Sequence, residues 1–325
     1  MAQLCAWHVR DTQDVKGEGM RILVSGGAGF VGSHVVDAYL AQGHDVVVVD
    51  DLSTGKKGNV DSRARLYALD IRAAELEQVF AAVRPDVVNH HAAKASVRES
   101  MVSPVLYADV NVLGSLNLLE LSRKYEVRKF IYASTGGAVY GEPQYLPADE
   151  SHPVCPVDPY GASKAAFEHY LPLYHTHYGV SFTVLRYANV YGPRQDPFGE
   201  AGVVAIFTGQ MLHGEQAVIN GSGEQERDFV YVRDVAHANI LALDRGEGGI
   251  YNIGTGVGTS INEVFARLKA ATSYQRSAVH GPAKAGEVFK VYLNAEEAAS
   301  GLGWTPQTSL EEGLRLTVEY FRTQA

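Results

Sequence analysis

A strand–glycine–helix segment near the start of this chain constrains its fold more than any other feature. Residues 21–24 have the apolar pattern of a short buried strand, glycines follow at once, and a helical pattern runs on to Gln42. In the spacing G-x-x-G-x-x-G, Gly26 permits a tight turn, Gly29 lets a pyrophosphate approach the backbone, and Gly32 lets the helix pack on the strand. The helix N-terminus then faces the phosphates. The segment predicts the first βα unit of a dinucleotide-binding sheet.

The acidic pair Asp50-Asp51 indicates which dinucleotide this unit binds. Residues 46–49 are all valine, as expected of a parallel strand covered on both faces, and the strand ends at Asp50. An acid roughly 20 residues beyond the glycine loop suits the ribose hydroxyls of NAD and repels the 2′-phosphate of NADP. We therefore expect NAD as the cofactor.

Predicted strands and helices alternate over the first half of the chain. Further strands are predicted at residues 66–69, 87–88 and 129–133, and helices at residues 73–83 and 103–125. This alternation is typical of α/β proteins with a doubly wound, Rossmann-type parallel sheet. Ligands of such sheets bind at the carboxyl ends of the strands, so we expect the site there.

The chain divides into two predicted units after an N-terminal extension. Residues 1–19 are polar and glycine-bearing, Met20 looks like a natural start, and we expect this extension to be disordered. The NAD-binding domain is assigned to residues 20–187 and 231–258, and a smaller C-terminal substrate-binding lobe to residues 188–230 and 259–325. Helices of the lobe are predicted at residues 202–212, 261–271, 294–301 and 309–321.

Composition limits the partners and the compartment. The net charge of −9, with acids and bases interspersed, argues against a nucleic-acid-binding surface. No apolar run reaches the roughly 18 residues of a membrane-spanning helix, so no membrane partner is expected. Cys5 and Cys155 do not form a disulfide framework, which favours a cytoplasmic location. His90 and His91 are adjacent and point to opposite faces of a strand, so no metal site is expected.

The helix beginning at Asp158-Pro159 offers a phenol and an ammonium, Tyr160 and Lys164, four residues apart. Asp158 is suited to cap this helix and Pro159 to its first turn, and Pro172 should kink it. Both reactive side chains then share one face. A cation at about 4 Å supplies about 4 kcal/mol, enough to lower a tyrosine pKa from about 10 to about 7. We expect Lys164 to do this and make Tyr160 a proton acceptor, although the pattern alone also fits a surface tyrosine beside a solvated lysine.

Taken together, the motifs resemble those of extended short-chain dehydrogenases/reductases. The glycine loop, Asp50, Thr135 after the fifth strand, and the Tyr160–Lys164 pair occur in that family's order. The segments LRYANVYGP at 185–193 and RDFVYVRD at 227–234 are similar to the sugar-nucleotide branch. With DLSTG at 51–55, the chain most resembles the UDP-glucose 4-epimerases, over essentially residues 20–325.

The resemblance implies three sets of site residues. The catalytic set is Tyr160, Lys164 and Thr135. The NAD-binding set is Gly26, Gly29, Phe30, Val31, Gly32, Asp50, Asp51, Ser53, Thr54, Gly55, Asp70, Ile71, His91, Ala92, Ala93, Asn111, Ala133, Tyr160, Lys164 and Tyr187. The set that binds the nucleotide sugar is Thr135, Asn189, Val203, Val204, Arg227, Lys284, Glu287 and Val291.

Two segments depart from the family pattern. Three residues, not two, separate Thr135 from the valine of Val-Tyr-Gly, so an ungapped alignment places Gly136 at the catalytic hydroxyl. Glycine has no hydroxyl, and we therefore assign the role to Thr135 across a one-residue bulge. The uridine-binding segment has Lys284-Ala285-Gly286-Glu287 where the family tends to have Arg-x-Gly-Asp. Lysine keeps the charge but loses the bidentate fork.

The resemblance implies NAD-dependent C4 epimerisation of UDP-glucose and UDP-galactose through a 4-keto sugar. Small Val291, near the C2 substituent in this family, adds N-acetylhexosamine forms to the expected substrates. Alternatives are a uronic-acid epimerase, a 4-reductase, a 4,6-dehydratase, or a nucleotide-sensing binding protein with a dead site. A dehydratase needs an additional acid and base, which Gly136-Gly137 does not supply. A homodimer is expected through the helices at 103–125 and 158–178, where Leu106, Val110 and Leu173 are candidate contacts.

Overall fold

A seven-stranded parallel sheet with helices on both faces forms the larger part of the molecule. The computed structural model describes residues 19–198, 202–283 and 288–324. The strand order is β10-β6-β5-β4-β1-β2-β3, with every neighbouring pair parallel. The predicted α/β class and doubly wound sheet are therefore confirmed. The strands are β1 (Arg21–Ser25), β2 (Asp45–Asp50), β3 (Arg65–Ala68), β4 (Val87–His90), β5 (Lys129–Thr135), β6 (Ser181–Tyr187), β7 (Asn189–Tyr191), β8 (Val218–Asn220), β9 (Glu226–Tyr231), β10 (Gly249–Ile253), β11 (Gly258–Ser260), β12 (Val279–Gly281) and β13 (Lys290–Val291).

The helices cover the sheet and build a smaller lobe. They are α1 (Phe30–Ala41), α2 (Leu76–Val83), α3 (Val97–Val102), α4 (Pro104–Ala108), α5 (Ser115–Lys124), α6 (Gly136–Val139), α7 (Pro159–Glu168), α8 (Tyr170–Tyr178), α9 (Val203–Leu212), α10 (Val232–Leu241), α11 (Ile261–Thr272) and α12 (Leu310–Gln324). A 3₁₀ turn spans Lys57–Asn59, and π-helical turns span Asp109–Gly114 and Ala298–Leu302. Among the described residues, no helix has the length and apolarity needed to cross a bilayer.

Alternate residues of the central strands feed two separate cores. Val46 and Val48 of β2 are buried in one apolar cluster, whereas Val47 and Val49 are buried in the cluster on the opposite face. A β-strand places successive side chains on opposite faces, so a run of valines is required when helices cover both sides. A third cluster, with Phe207 at its centre, fills the smaller lobe between α9, α11 and β9.

The smaller lobe contains two short sheets. In one, β9 pairs with β11, with β13 and with β7, and in the other β8 pairs with β12. The chain then returns to the large sheet, because β10 pairs with β6. The predicted helix at 294–301 is shorter than expected and consists mainly of the π-helical turn Ala298–Leu302.

The helix predicted at 103–125 is not a regular α-helix. Its middle, Asp109–Gly114, is a π-helical turn between α4 and α5. Such turns widen a helix by one residue and often lie at functional sites. Here Gly114 lies so close to the Ile71 side chain that a β-carbon would come within 2.8 Å of it. Apolar periodicity does not reveal this insertion, because the residues on either side keep a helical spacing.

All three expectations for the helix after Asp158 are confirmed. The Asp158 carboxylate accepts a hydrogen bond from the Gly161 amide at 2.7 Å, and Pro159 occupies the first turn. The helix is interrupted between α7 and α8, four residues before Pro172. Proline has no N–H to donate to the carbonyl of Glu168, so the break falls there.

Candidate active site

A cavity of about 310 Å³ opens at the carboxyl ends of β1, β2, β4 and β5. It lies where the strand order reverses, with β1 between β4 and β2, which is the position expected for a nucleotide in a doubly wound sheet. All residues predicted to bind NAD line it except Gly55 and Asn111. Sequence reasoning did not identify Leu69, Lys94, Ala95, Val110 and Ser134, which also line it.

The glycine loop is built for close approach. Gly26 has φ of +70°, and a β-carbon there would lie 2.5 Å from the Ala92 amide nitrogen. A β-carbon on Gly32 would lie 2.2 Å from the Gly26 carbonyl oxygen, so only glycine lets α1 start this close to β1. Gly29 caps α1, whose first amides face the cavity. This cradle fits a dinucleotide pyrophosphate.

Asp50 and Asp51 lie where a ribose would lie beside that cradle. The buried Asp50 carboxylate accepts backbone hydrogen bonds from Ala28 and Leu52, each at 2.9 Å, so it also fixes the glycine loop. Burial raises the Asp50 pKa, and these two hydrogen bonds oppose the shift. Asp51 is exposed and accepts hydrogen bonds from the amide and hydroxyl of Ser53. An acidic edge of this kind fits the ribose diol of NAD.

The two predicted residues outside the cavity wall support it from behind. A β-carbon on Gly55 would lie 2.6 Å from the Asp50 carboxylate, so glycine is needed there for packing. The Asn111 side chain exchanges two hydrogen bonds with the backbone of Lys94 and donates a third to Ser163. Asn111 therefore holds the loop at Lys94 against α7. Its amide group makes these internal hydrogen bonds instead of contacting a ligand.

Tyr160 and Lys164 line the cavity floor together, as their spacing predicts. The Tyr160 hydroxyl is hydrogen-bonded to Thr135, the last residue of β5. The Lys164 ammonium lies 4.3 Å above the ring of Tyr132. Thr135 is thus within hydrogen-bond reach of Tyr160, a contact that its assigned role requires, and the role itself stays a prediction.

The pKa of Tyr160 moves in the direction opposite to the expectation. Burial raises it to about 12, and the hydrogen bond with Thr135 is the interaction that opposes the shift. Burial lowers the pKa of Lys164 to about 7, against the attraction of the Glu168 carboxylate. The expectation rested on the attraction of the nearby cation alone. Desolvation penalises the charged forms of both groups, and its effect is the larger one here. A pKa of about 12 keeps the Tyr160 hydroxyl protonated near neutral pH, so Tyr160 needs further positive charge beside it before it can accept a proton.

The two glycines of α6 have different surroundings. A β-carbon on Gly136 would lie 2.4 Å from the buried Leu293 side chain, so this residue packs against the core. A β-carbon on Gly137 would be 3.6 Å from the Asn189 amide oxygen and 3.8 Å from the Thr135 hydroxyl. Two predicted substrate-binding residues therefore face the same open space in front of Gly137.

The other predicted substrate residues are spread over the smaller lobe. Arg227 on β9 pairs with Val291 on β13, and its guanidinium donates to the backbone carbonyl of Glu226 at 2.8 Å. Val203 begins α9, whereas the Val204 side chain is buried in the core of the lobe. Lys284 and Glu287 lie outside the described residues.

Sequence reasoning missed the groups behind the site. Glu168, four residues after Lys164, binds Arg186 of β6 and Ser134 of β5 in the protein interior. The repeated spacing of Tyr160, Lys164 and Glu168 was the available signal, since residues four apart share one helix face. Arg186 lies inside the LRYANVYGP segment, where only its neighbours were assigned roles.

Thr135→Val is expected to reduce turnover by about tenfold or less, because it removes one hydrogen bond of roughly 1 kcal/mol. Without that bond the Tyr160 pKa rises further, so the acid limb of the rate profile should move to higher pH. Thr317→Val, which removes a buried hydroxyl in α12, is the matched control. An unchanged rate and profile in Thr135→Val would exclude Thr135 from the reaction.

Known proteins share this architecture and sequence. Residues 22–254 match the model of the NAD dependent epimerase/dehydratase family. A UDP-glucose 4-epimerase from Mycolicibacterium smegmatis is 42% identical over 312 residues, covering 94% of this chain and 100% of that protein. The structure of a Thermotoga maritima UDP-glucose 4-epimerase with UDP-glucose has a TM-score of 0.93 and 52% identity, covering 94% of this chain and 99% of the other. A UDP-N-acetylglucosamine 4-epimerase from Methanobrevibacter ruminantium M1, in complex with UDP-N-acetylmuramic acid, has a TM-score of 0.89 and 34% identity, covering 95% and 100%.

Proposed function

The chain belongs to the NAD-dependent epimerase/dehydratase family, and on that premise we propose that it interconverts UDP-glucose and UDP-galactose by epimerisation at C4. The observation that supports this best is the hydrogen bond between Tyr160 and Thr135 at a cavity that Tyr160 lines together with Lys164. The similar proteins that bear this activity cover nearly the whole chain.

In the proposed reaction, Tyr160 takes the proton of the C4 hydroxyl and later returns it. Thr135 holds the reacting oxygen, and Lys164 keeps a positive charge beside the tyrosine. Bound NAD supplies a hydride acceptor and donor and adds positive charge in its oxidised form. The 4-keto sugar turns over in the space before Gly137 and is reduced on its other face. The glycine cradle and Asp50 hold the dinucleotide throughout.

The proposal is tested against its alternatives with a panel of nucleotide sugars. Purified protein is incubated with UDP-glucose, UDP-glucuronate and dTDP-glucose, and the products are separated by chromatography. UDP-galactose from UDP-glucose, without added reductant, is the expected result. A 4-keto-6-deoxy sugar would identify a dehydratase. A product that forms only with added NADH would identify a reductase, and the absence of any product would identify a binding protein. Among these, the dehydratase is disfavoured because Gly136-Gly137 offers no acid or base.

We propose that N-acetylhexosamine forms are also substrates. Val291 is buried, with 3% of its surface exposed, and Leu293, two residues later and also buried, packs on Gly136. Tyr292 points the other way, towards Gly258. A valine here leaves room where a tyrosine would overpack an acetamido group, at a cost of about 1–3 kcal/mol.

Val291→Tyr is therefore expected to lose activity on UDP-N-acetylglucosamine by about tenfold to a hundredfold more than on UDP-glucose. Rates on both substrates are compared in the wild type and the variant, with Val291→Ala as a control that keeps the space open. Equal losses on both substrates, or a wild type inactive on the N-acetyl sugar, would refute the proposed pocket.

A homodimer is proposed from an apolar surface on α3, α4 and α8. Val102 of α3 and Val105 of α4 are 83% and 80% exposed, and Leu173 of α8 is 53% exposed; all three helices contact α7. Apolar patches of this kind usually mark contact surfaces. Leu106 is partly buried, and Val110 lines the cofactor cavity instead, which connects the interface helix to the site.

Val105→Glu is expected to convert a dimer into a monomer in sedimentation at micromolar concentration, because it places a charge in the apolar contact. Val279→Glu, at an exposed valine of β12 in the other lobe, is the matched control. A wild type that sediments as a monomer would contradict the dimer.

We also propose a cytoplasmic location, since Cys155 is a free, exposed thiol.

A further inference from the structure

The Glu168 carboxylate lies in the interior directly behind the proposed reaction centre. It is on α7, one turn after Lys164, and both it and Arg186 keep only 4% of their side-chain surface exposed. Arg186 forms a bidentate ion pair with it, with Nε at 3.1 Å from Oε1 and Nη2 at 2.5 Å from Oε2. The Ser134 hydroxyl donates to Oε1 at 2.5 Å.

Three elements around this carboxylate contribute groups that feel its charge. From α7 it faces Lys164, from β5 Tyr132 and Ser134, and from β6 Arg186. Arg186 in turn donates to the Tyr140 hydroxyl at 2.9 Å. The interior therefore holds two cations and one anion, and a buried cation without a counter-charge is costly.

Lys164 has no carboxylate at its own ammonium. Among the residues that the structure describes, it forms no ion pair within 4 Å; its ammonium lies 4.3 Å from the Tyr132 ring, and the imidazoles of His90 and His91 feel its charge. Burial drives Lys164 towards its neutral form, and the one interaction that opposes burial is the attraction of Glu168. Any buried carboxylate beside Arg186 could neutralise the charge of that residue. The position of Glu168, one turn after Lys164, also places the carboxylate near the Lys164 ammonium.

We propose that Glu168 is a positioning residue that holds Lys164 in its ammonium form beside Tyr160. This proposal rests on the proposed function, because that function gives the charge of Lys164 its role in the reaction. The effect of Glu168 on the protonation of Lys164 is a property of the folded protein alone. Arg186 and Ser134 fix the carboxylate in place. Its charge then acts along α7 on Lys164, and through Lys164 on the tyrosine that exchanges the proton.

The test follows the protonation of Lys164 directly. Protein labelled with ¹⁵N-lysine is titrated by NMR with its bound cofactor, and the Lys164 Nζ resonance is identified by its loss in Lys164→Met. In Glu168→Gln the midpoint should fall by at least about one pH unit, because the counter-charge is gone. In Glu168→Asp, which keeps the charge, it should stay close to the wild-type value.

Glu168→Gln leaves Arg186 buried without a counter-charge and is expected to be unstable. The double variant Glu168→Gln/Arg186→Gln replaces the ion pair with two neutral amides and is expected to restore stability. Because the repulsive Arg186 charge leaves with the carboxylate, the Lys164 midpoint should fall less than in Glu168→Gln but stay below the wild-type value. In each variant the alkaline limb of kcat should move down by as much as the Lys164 midpoint. A purely structural role would change the height of the profile and leave its limbs in place.

A Lys164 midpoint unchanged in both glutamine variants overturns the proposal. The NMR midpoint does not depend on turnover, so a wild type that fails to epimerise UDP-hexoses would overturn the proposed function and leave the midpoint to decide the role of Glu168.

Discussion

Tyr160→Phe is expected to lower the rate of UDP-hexose interconversion by at least about a hundredfold, the low end for loss of a general acid–base. The phenylalanine ring fills the same space as the tyrosine ring, and the substitution removes only the hydroxyl that contacts Thr135. The variant should therefore fold, retain NAD and bind UDP-glucose about as well as the wild type. The loss should appear in kcat and not in KM, because the proton is exchanged only during the reaction.

The matched control for that variant is Tyr231→Phe. The Tyr231 hydroxyl is buried in the smaller lobe without a hydrogen-bond partner among the described residues, so its removal should be nearly silent. Steady-state rates, NAD content and thermal unfolding of both variants are measured side by side. Turnover within a few-fold of the wild type in Tyr160→Phe would remove Tyr160 from the mechanism.

Lys164→Met is expected to combine a large loss of activity with a gain in stability. The variant removes the charge that assists Tyr160, so turnover should again fall by at least about a hundredfold. It also replaces a buried cation, which has no ion pair among the described residues, with an apolar side chain of similar length. Because an unpaired buried charge is costly, the variant should be more stable than the wild type. Arg186 still pairs with Glu168 in this variant.

The gain should depend on pH in a defined direction. The Lys164 pKa is about 7 in the folded protein and 10.5 when unperturbed, so the unfolded chain binds more protons between these values. Wild-type stability should therefore rise as the pH increases from about 7 to about 10.5, and the penalty is fully present below pH 7. Lys164→Met should lack this rise. Urea unfolding across that range, with saturating NAD throughout, measures it; parallel curves for both proteins would contradict the buried cation.

Local chemistry made the cofactor half of the site predictable from the sequence. The glycine spacing, the valine run ending at Asp50 and the cap at Asp158 each depend on residues near one another in the chain. Each is found as expected in the structure. The π-helical turn at Asp109–Gly114 was not predictable, because it depends on how Gly114 meets Ile71 across the fold.

The electrostatics of the reaction centre required the structure. The raised pKa of Tyr160 and the lowered pKa of Lys164 arise from burial, which a four-residue spacing does not report. The partners of Glu168 come from two strands, β5 and β6, that are remote in sequence. Spacing identified which groups meet, and packing determined the charge that each one carries.

The most direct test of the account uses UDP-galactose carrying deuterium at C4. Purified protein is incubated with this substrate in ordinary water without added NAD, and the products are analysed by chromatography and NMR. The expected product is UDP-glucose that retains deuterium at C4, because the proposed reaction removes the hydrogen and returns it to the same carbon within one site. UDP-glucose with hydrogen from water at C4, or no UDP-glucose at all, would contradict it.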